Sequence, residues 1–205
     1  MSIDLVALEA AADAVRGCTA CPLHETRGHA VPGEGGGSGV GAPERFTGIM
    51  LVGEAPGRNE DETGRPFCGA AGKNLDLGLA AAGIGRDDVF VTSIVKCRPP
   101  KNRDPKPAEK AACRPHLEAQ LDALGPKVLV ALGRHGLSSL VERPPKAFSE
   151  VRGRFVEGPG GLPVFCSLHP AAIIYRQAWR EDYLADWAWF GEWVRSGNLA
   201  QRGKA

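Results

Sequence analysis

The apolar positions change period several times along the chain, and each change predicts an element. Over residues 4–17 (DLVALEAAADAVRG) apolar side chains recur at helical spacing and the run stops at a glycine, which predicts a helix. The Gly-rich stretch 33–42 predicts a loose loop. An unbroken apolar run over 48–53 predicts a buried strand, and the Ala/Leu/Gly-rich 69–83 predicts a helix. A strand at 89–95, a helix at 108–124 and a strand at 127–132 follow in alternation. Further strands are predicted at 151–156 and 163–168, the second buried, and a final amphipathic helix at about 180–196. This rhythm predicts an α/β sandwich around a mostly parallel central sheet. The aromatic residues of the last helix, Trp187, Trp189, Phe190 and Trp193, are spaced to dock against that sheet.

The 205 residues fit one domain with a sizeable core, 1–205, opened by an N-terminal arm over about 1–45. The 25 Lys+Arg balance 24 Asp+Glu to a net charge of +1, which excludes a binder basic over its whole surface but leaves room for a local basic face. Glycine (27) and proline (16) make up about a fifth of the residues, so many loops are expected on a folded body. The N-terminus lacks the pattern of a signal peptide, and no apolar run approaches the roughly 18 residues that span a bilayer. A cytoplasmic protein without a membrane partner is expected. Thiols there stay reduced, so the six cysteines should be packed, catalytic or metal-bound.

Cys18-x-x-Cys21 supplies one pair, and Cys97 and Cys113 a second, beside loops and helix ends where a metal centre would tie the arm to the body. Four thiolates suit a tetrahedral zinc or an iron–sulfur cluster, and spacing leaves both open. No predicted strand precedes Cys18, as a thioredoxin-like redox pair would require. Cys68 and Cys166 stand alone among apolar neighbours and read as small core fillers.

Three motifs fall at strand ends. The first strand runs into Gly53-Glu54-Ala55-Pro56-Gly57 and then Glu60-Asp61; the second ends near Thr92-Ser93; the strand at 163–168 ends at His169-Pro170-Ala171. Ligands of open α/β sheets bind outside the carboxyl ends of strands, so these loops should converge. Between Lys96 and Arg114 lie seven Lys/Arg against Asp104 and Glu109, a local excess of five positive charges. Pinned by prolines, that stretch suits contact with phosphates, with Lys101 and Arg103 as candidates.

With these residues in place, the chain resembles the family 4 uracil-DNA glycosylases, the iron–sulfur branch of that superfamily, over roughly residues 12–196. The resemblance rests on the ordered series Cys18-x-x-Cys21, Gly53–Gly57 with Glu60-Asp61, Gly64-Arg65-Pro66-Phe67, Val95-Lys96-Cys97-Arg98-Pro99-Pro100 with Asn102-Arg103, Cys113, and His169-Pro170-Ala171. It implies a three-layer α/β/α fold, a structural [4Fe–4S] cluster on Cys18, Cys21, Cys97 and Cys113, and hydrolysis of the N-glycosidic bond of deoxyuridine flipped out of DNA. Glu54 and His169 would be catalytic: His169 donating to the uracil carbonyl that gains charge, Glu54 orienting water or stabilising the sugar cation. Phe67 would stack on the base, with the Gly53, Ala55 and Gly57 backbone assisting and Glu60 crowding the position of a thymine methyl. Ile173, Ile174 and Arg176 are candidates to fill the vacated stack, with Ile174 and Arg176 counted among the DNA contacts.

One position departs from the family. Where it carries an asparagine that reads the uracil edge, this chain has Ser93 in Thr92-Ser93-Ile94-Val95-Lys96-Cys97. Serine is shorter and has a single rotatable hydroxyl where the amide presents a donor and an acceptor together, which predicts weaker activity or discrimination, or preference for another deaminated base. The expected partner is DNA carrying uracil or another deaminated base, bound by a monomer; the sequence names no sliding-clamp partner. Two rivals remain: a glycosylase of the same scaffold for hypoxanthine or xanthine, and a non-catalytic iron–sulfur protein that binds DNA or senses redox state.

Overall fold

Four all-buried strands, β2 (Ile49–Gly53), β3 (Val89–Ser93), β4 (Val128–Leu132) and β6 (Pro163–Ser167), lie parallel at the centre of one sheet. Continuous Val/Ile/Leu runs suit such strands because helices cover both faces. The computed structural model describes residues 3–35 and 46–199. Two short strands, β1 (Glu34–Gly35) and β5 (Phe155–Glu157), close the edges antiparallel, giving the order β1-β3-β2-β4-β6-β5.

Alternation along each strand sorts the core into two clusters. Met50, Val52, Leu129, Ala131 and Cys166 face α1 (Leu5–Arg16), α4 (Pro107–Leu124) and α5 (Gly133–Leu140). Ile49, Leu51, Val128, Val130 and Phe165 face α3 (Ala70–Ala82) and α7 (Arg180–Trp193). The result is the expected three-layer α/β/α sandwich. Within α7, Tyr183, Trp187 and Phe190 are fully buried, and Phe190 stacks on Phe165 at 4.7 Å between centroids, so the aromatic spacing is core packing.

The chain passes from β2 through α3 to β3, then back across β2 through α4 to β4. That reversal makes the carboxyl ends of β2 and β4 a topological switch point, the usual place for a ligand crevice.

Several boundaries differ from the sequence expectation. The strand expected over 89–95 ends at Ser93, because the Ile94 and Val95 N–H groups turn to donate to the carbonyls of Gly53 and Glu54 at 3.0 and 3.1 Å. The strand expected at 151–156 is the short edge strand β5. Of the Gly-rich 33–42 stretch, Glu34–Gly35 pairs with β3, and residues 36–42 lie outside the described residues. The short helices α2 (Arg58–Thr63), α5 and α6 (Ala172–Tyr175) were not expected; each begins within a few residues of a strand end in polar, Gly-rich or short sequence that carries little periodicity. The N-terminal helix is part of the core in its own right: Leu8, Ala12 and Val15 are buried, and Asp4 caps it while its N–H bonds the Ala123 carbonyl at 2.9 Å. No helix among the described residues is long and apolar enough to cross a membrane.

Candidate active site and cysteine cluster

The three strand-end motifs do converge. A cavity of about 320 Å³ at the carboxyl ends of the strands is lined by Glu54, Ala55, Gly57 and Glu60 after β2, by Phe67, by Ser93 at the end of β3, and by His169 after β6. Gly53 and Ser93 are directly paired between β2 and β3. Gly53 is not itself in the lining, but its position is constrained: a Cβ there would stand 2.7 Å from the Phe67 ring. Glycine lets that ring lie against the strand end.

Phe67 holds a left-handed backbone (φ 50°), unusual for a bulky residue, and is almost fully buried. Its loop is braced from outside by Arg65, whose guanidinium makes two bonds to the buried Glu34 carboxylate at 2.9 and 3.2 Å. The Phe67 and His169 rings are 5.8 Å apart.

His169 has a defined proton. Its Nδ1 accepts from the Ala171 N–H at 3.2 Å, which leaves Nε2 carrying the hydrogen. Burial, and next the neighbouring His135, push its value down to about 4, while Glu60 opposes. At neutral pH it is therefore an uncharged donor. The loop that carries it is held to α3 by Asn74, which donates to the Pro170 carbonyl at 3.0 Å.

Glu54 is partly buried, and its Oε1 has no hydrogen-bond partner among the described residues. Burial raises its carboxyl above the ordinary range, Asp104 adds to the rise, and Lys110 and Arg134 oppose it. Glu60 has a bracing part: one oxygen accepts from the Gly57 N–H at 3.0 Å, the other from the N–H groups of Cys68 and Gly69 at 3.0 and 3.2 Å. It clamps the Gly53–Gly57 loop to the start of α3 while lining the cavity. Asp61 accepts from Gly28 N–H at 2.9 Å and so fastens the arm.

Of the residues expected at DNA, Lys101 is exposed in a left-handed turn (φ 56°), whereas Arg103 lines the cavity and grips Glu109 with bonds of 2.8 and 2.6 Å. Ile173 is core, 2% exposed, and leaves the set of stack-filling candidates. Ile174 is 38% exposed, and the exposed Arg176 lies over the Trp179 ring at 4.4 Å. Sequence reasoning passed over Tyr175, which lines the cavity and is 85% exposed, and His135, which stands 3.5 Å from Glu54. Tyr175 could have been found as the largest apolar side chain in the segment after the histidine motif. His135 follows the third predicted strand directly, a position that reasoning from strand ends should have included.

The four cysteines of the two pairs gather on the other side of the β3 end. Cys18, Cys21, Cys97 and Cys113 line one small cavity with His24, Lys96 and His116. Backbone and guanidinium donors point at their sulfurs: Lys96 N–H to Cys113 at 3.3 Å, Arg27 to Cys97 at 3.1 Å, and Ala20 N–H to Cys18 at 3.5 Å. Donors aimed at three of four converging thiols suit an anionic sulfur-ligated centre. Among the described residues, ligand atoms of Glu54, Asp104 and His135 lie within 4.8 Å of one another. Cys166 is buried as expected; Cys68 is exposed and 3.2 Å from the Thr63 hydroxyl, not a core filler, because the loop leading into α3 lies on the surface.

The uracil DNA glycosylase superfamily profile matches residues 40–190. The type-4 uracil-DNA glycosylase of Pyrobaculum aerophilum is 43% identical over 182 residues, covering 86% of this chain and 89% of the relative. That of Thermotoga maritima is 43% identical over 167 residues, 82% and 83% of the two chains, and that of Archaeoglobus fulgidus 42% over 184 residues, 87% and 88%. With this breadth of identity and this fold, the chain belongs to the uracil-DNA glycosylase superfamily and, within it, to the type-4 uracil-DNA glycosylases.

Proposed function

We propose that this protein hydrolyses the glycosidic bond of deoxyuridine in DNA, leaving an abasic site, and that it does so as a monofunctional glycosylase working as a monomer. The observation that carries this reading is the meeting of Glu54, Phe67, Ser93 and a neutral His169 in one cavity. A paired base cannot reach such a cavity, so the nucleotide must leave the stack, at a cost of a few kcal/mol. Phe67 then offers its ring to the base. As the bond between sugar and base breaks, the electron pair leaves with the base and charge grows on its carbonyl. The Nε2–H of His169 is placed to donate to that oxygen, and a donor that needs no reorganisation is worth most in a water-poor site. Glu54 acts at the sugar. Whether it orients the water that takes the sugar carbon or faces the cation directly, it must be ionised.

Tyr175, which lines the cavity, and its neighbour Ile174 are exposed and are the side chains to fill the gap left by the base, with Arg176 beside them. Lys101 contacts phosphate. Cys18, Cys21, Cys97 and Cys113 would hold a [4Fe–4S] cluster, whose contribution is structural: it fixes the start of the basic stretch and the N-terminal arm around one point. Ser93 supports a second reading, in which the base edge is read loosely enough to admit hypoxanthine or xanthine.

One oligonucleotide panel separates these readings. Uracil, hypoxanthine, xanthine and mismatched thymine are presented in otherwise identical strands, and abasic product is counted. Uracil excised fastest supports the proposal; hypoxanthine or xanthine excised fastest replaces it with the second reading. Binding without excision of any of the four would remove the enzyme assignment.

A further inference from the structure

His135 carries a role that the reading above does not use. It sits in the first turn of α5, directly after β4 and beside the β2 end, at the switch point of the sheet. Gly133, two residues before it, packs against the His169 segment: its φ is +82°, and a Cβ there would stand 2.9 Å from the His169 Cβ. His135 stands near both proposed catalytic groups: its Nδ1 is 3.5 Å from Glu54 Oε1, and its charge bears on His169.

Its two nitrogens face different partners. Nε2 accepts from Arg134 Nε at 3.1 Å, which puts the ring hydrogen on Nδ1. Nδ1 stands 3.5 Å from Glu54 Oε1, the buried oxygen that lacks any other partner. Catalytic hydrogen bonds are commonly long before substrate arrives and tighten in the complex. The geometry points to His135 as a positioning residue for Glu54, its Nδ1–H holding the carboxylate ionised and turned into the cavity. This inference rests on Glu54 being the carboxylate that acts at the sugar.

The surrounding charges fit a neutral donor. Besides Glu54, Asp104 from the basic stretch has Oδ2 3.4 Å from His135 Nε2, and Lys110 on α4, Arg134 on α5 and His169 after β6 act on it among the described residues. Burial lowers the His135 value, Asp104 raises it, and Lys110 and Arg134 lower it, so the ring is uncharged at neutral pH. For Glu54 the sign runs the other way: burial raises it, so activity falls as acid protonates it. A hydrogen bond to the charged form favours that form. Removing the donor must then push the Glu54 value higher still, and with it the acid limb of the rate profile.

The test is the single-turnover rate of uracil excision against pH for wild type, His135→Phe, His135→Asn, Glu54→Gln and the double variant, with melting temperatures as a check on folding. Asparagine places an amide near the position of Nδ1. The expected result is an acid limb about one pH unit higher in His135→Phe, hence about tenfold slower excision on the limb, with rates converging on wild type at alkaline pH. His135→Asn should restore the wild-type limb, and His135→Phe should cost nothing further in the Glu54→Gln background. A His135→Phe profile that superimposes on wild type while Glu54→Gln is slow overturns this inference alone. Glu54→Gln excising at the wild-type rate overturns the reading of Glu54, and this inference with it.

Discussion

The ring of Phe67 lies 5.8 Å from that of His169, inclined by 38°, so the proposed stacking surface and the proposed hydrogen donor share one wall of the cavity. The Phe67 backbone is held left-handed to achieve this, and its loop is fastened by Arg65 to Glu34. Base–aromatic stacking is worth about 1–3 kcal/mol. Phe67→Leu, which keeps most of the buried volume, should lower kcat/KM for uracil by about one to two decades with a small change in melting temperature. Steady-state kinetics beside a thermal melt checks the split; a variant that loses stability in proportion to activity would make Phe67 a packing residue.

His169 gives two outcomes with a defined sign. Removing one preorganised donor costs about 10²–10³ in rate, so His169→Ala should lose that much in single-turnover excision. Its value falls from the ordinary 6.5 to about 4 on folding, so the folded protein resists its protonation. The stability it contributes is fully present above 6.5 and is lost as pH falls toward 4. Melting temperatures measured across that window should therefore drop less steeply in His169→Gln than in wild type.

Much of this site could be read from the sequence, for reasons that differ by residue. Buried parallel strands announce themselves as continuous apolar runs, so the positions of Glu54, Ser93 and His169 at strand ends followed from composition and order alone. Long helices with a buried stripe, such as α4, are legible for the same reason. The short α2, α5 and α6 span too few turns to show a period, which is why Tyr175 and His135 were missed. The pairing of Arg103 with Glu109 and the clamp made by Glu60 depend on side-chain direction, which spacing does not encode. The motif residues were recognisable, but their division into those facing the base and those bracing the loop was not.

Ser93 sits beside Gly53 and lines the cavity, 5% exposed, with its carbonyl accepting from the buried Lys96 Nζ at 2.8 Å. The backbone is thus fixed, and only the side chain decides how the base edge is met. A buried hydrogen bond gained is worth about 0.5–1.5 kcal/mol. Ser93→Asn should speed uracil excision by roughly threefold to tenfold and sharpen its preference over hypoxanthine. An unchanged rate and an unchanged preference would mean that Ser93 does not meet the base.

The cysteine site should be separable from the chemistry. Cys113 lies on α4, whose contact with α1 is independently packed through Leu8 and Leu117. Cys113→Ser should yield a paler protein, with less iron by metal analysis and a lower melting temperature, yet should leave the far-UV circular dichroism of the sandwich in place. A colourless wild type carrying one zinc per chain would refute the cluster. Total loss of secondary structure in the variant would show instead that the site is needed to fold the sheet.

Lys101 and Arg103 should part company in salt dependence. Each phosphate contact contributes about 0.9 to the slope of log affinity against log salt. Lys101 projects from a left-handed turn into solvent, so Lys101→Ala should weaken binding to abasic DNA uniformly across sequences and reduce that slope by about 1. Arg103 is already gripped by Glu109, a carboxylate 4% exposed that also accepts from the Lys106 N–H at 2.7 Å at the start of α4. Part of its charge is therefore spent inside the protein. Arg103→Ala should change the slope by less than Lys101→Ala, but should lower the melting temperature, because it strips both guanidinium bonds from a buried carboxylate that keeps only the Lys106 N–H. Filter binding or fluorescence anisotropy at several salt concentrations, beside thermal melts, distinguishes the two. Equal slopes and equal melting temperatures in both variants would place the DNA on another face of the protein.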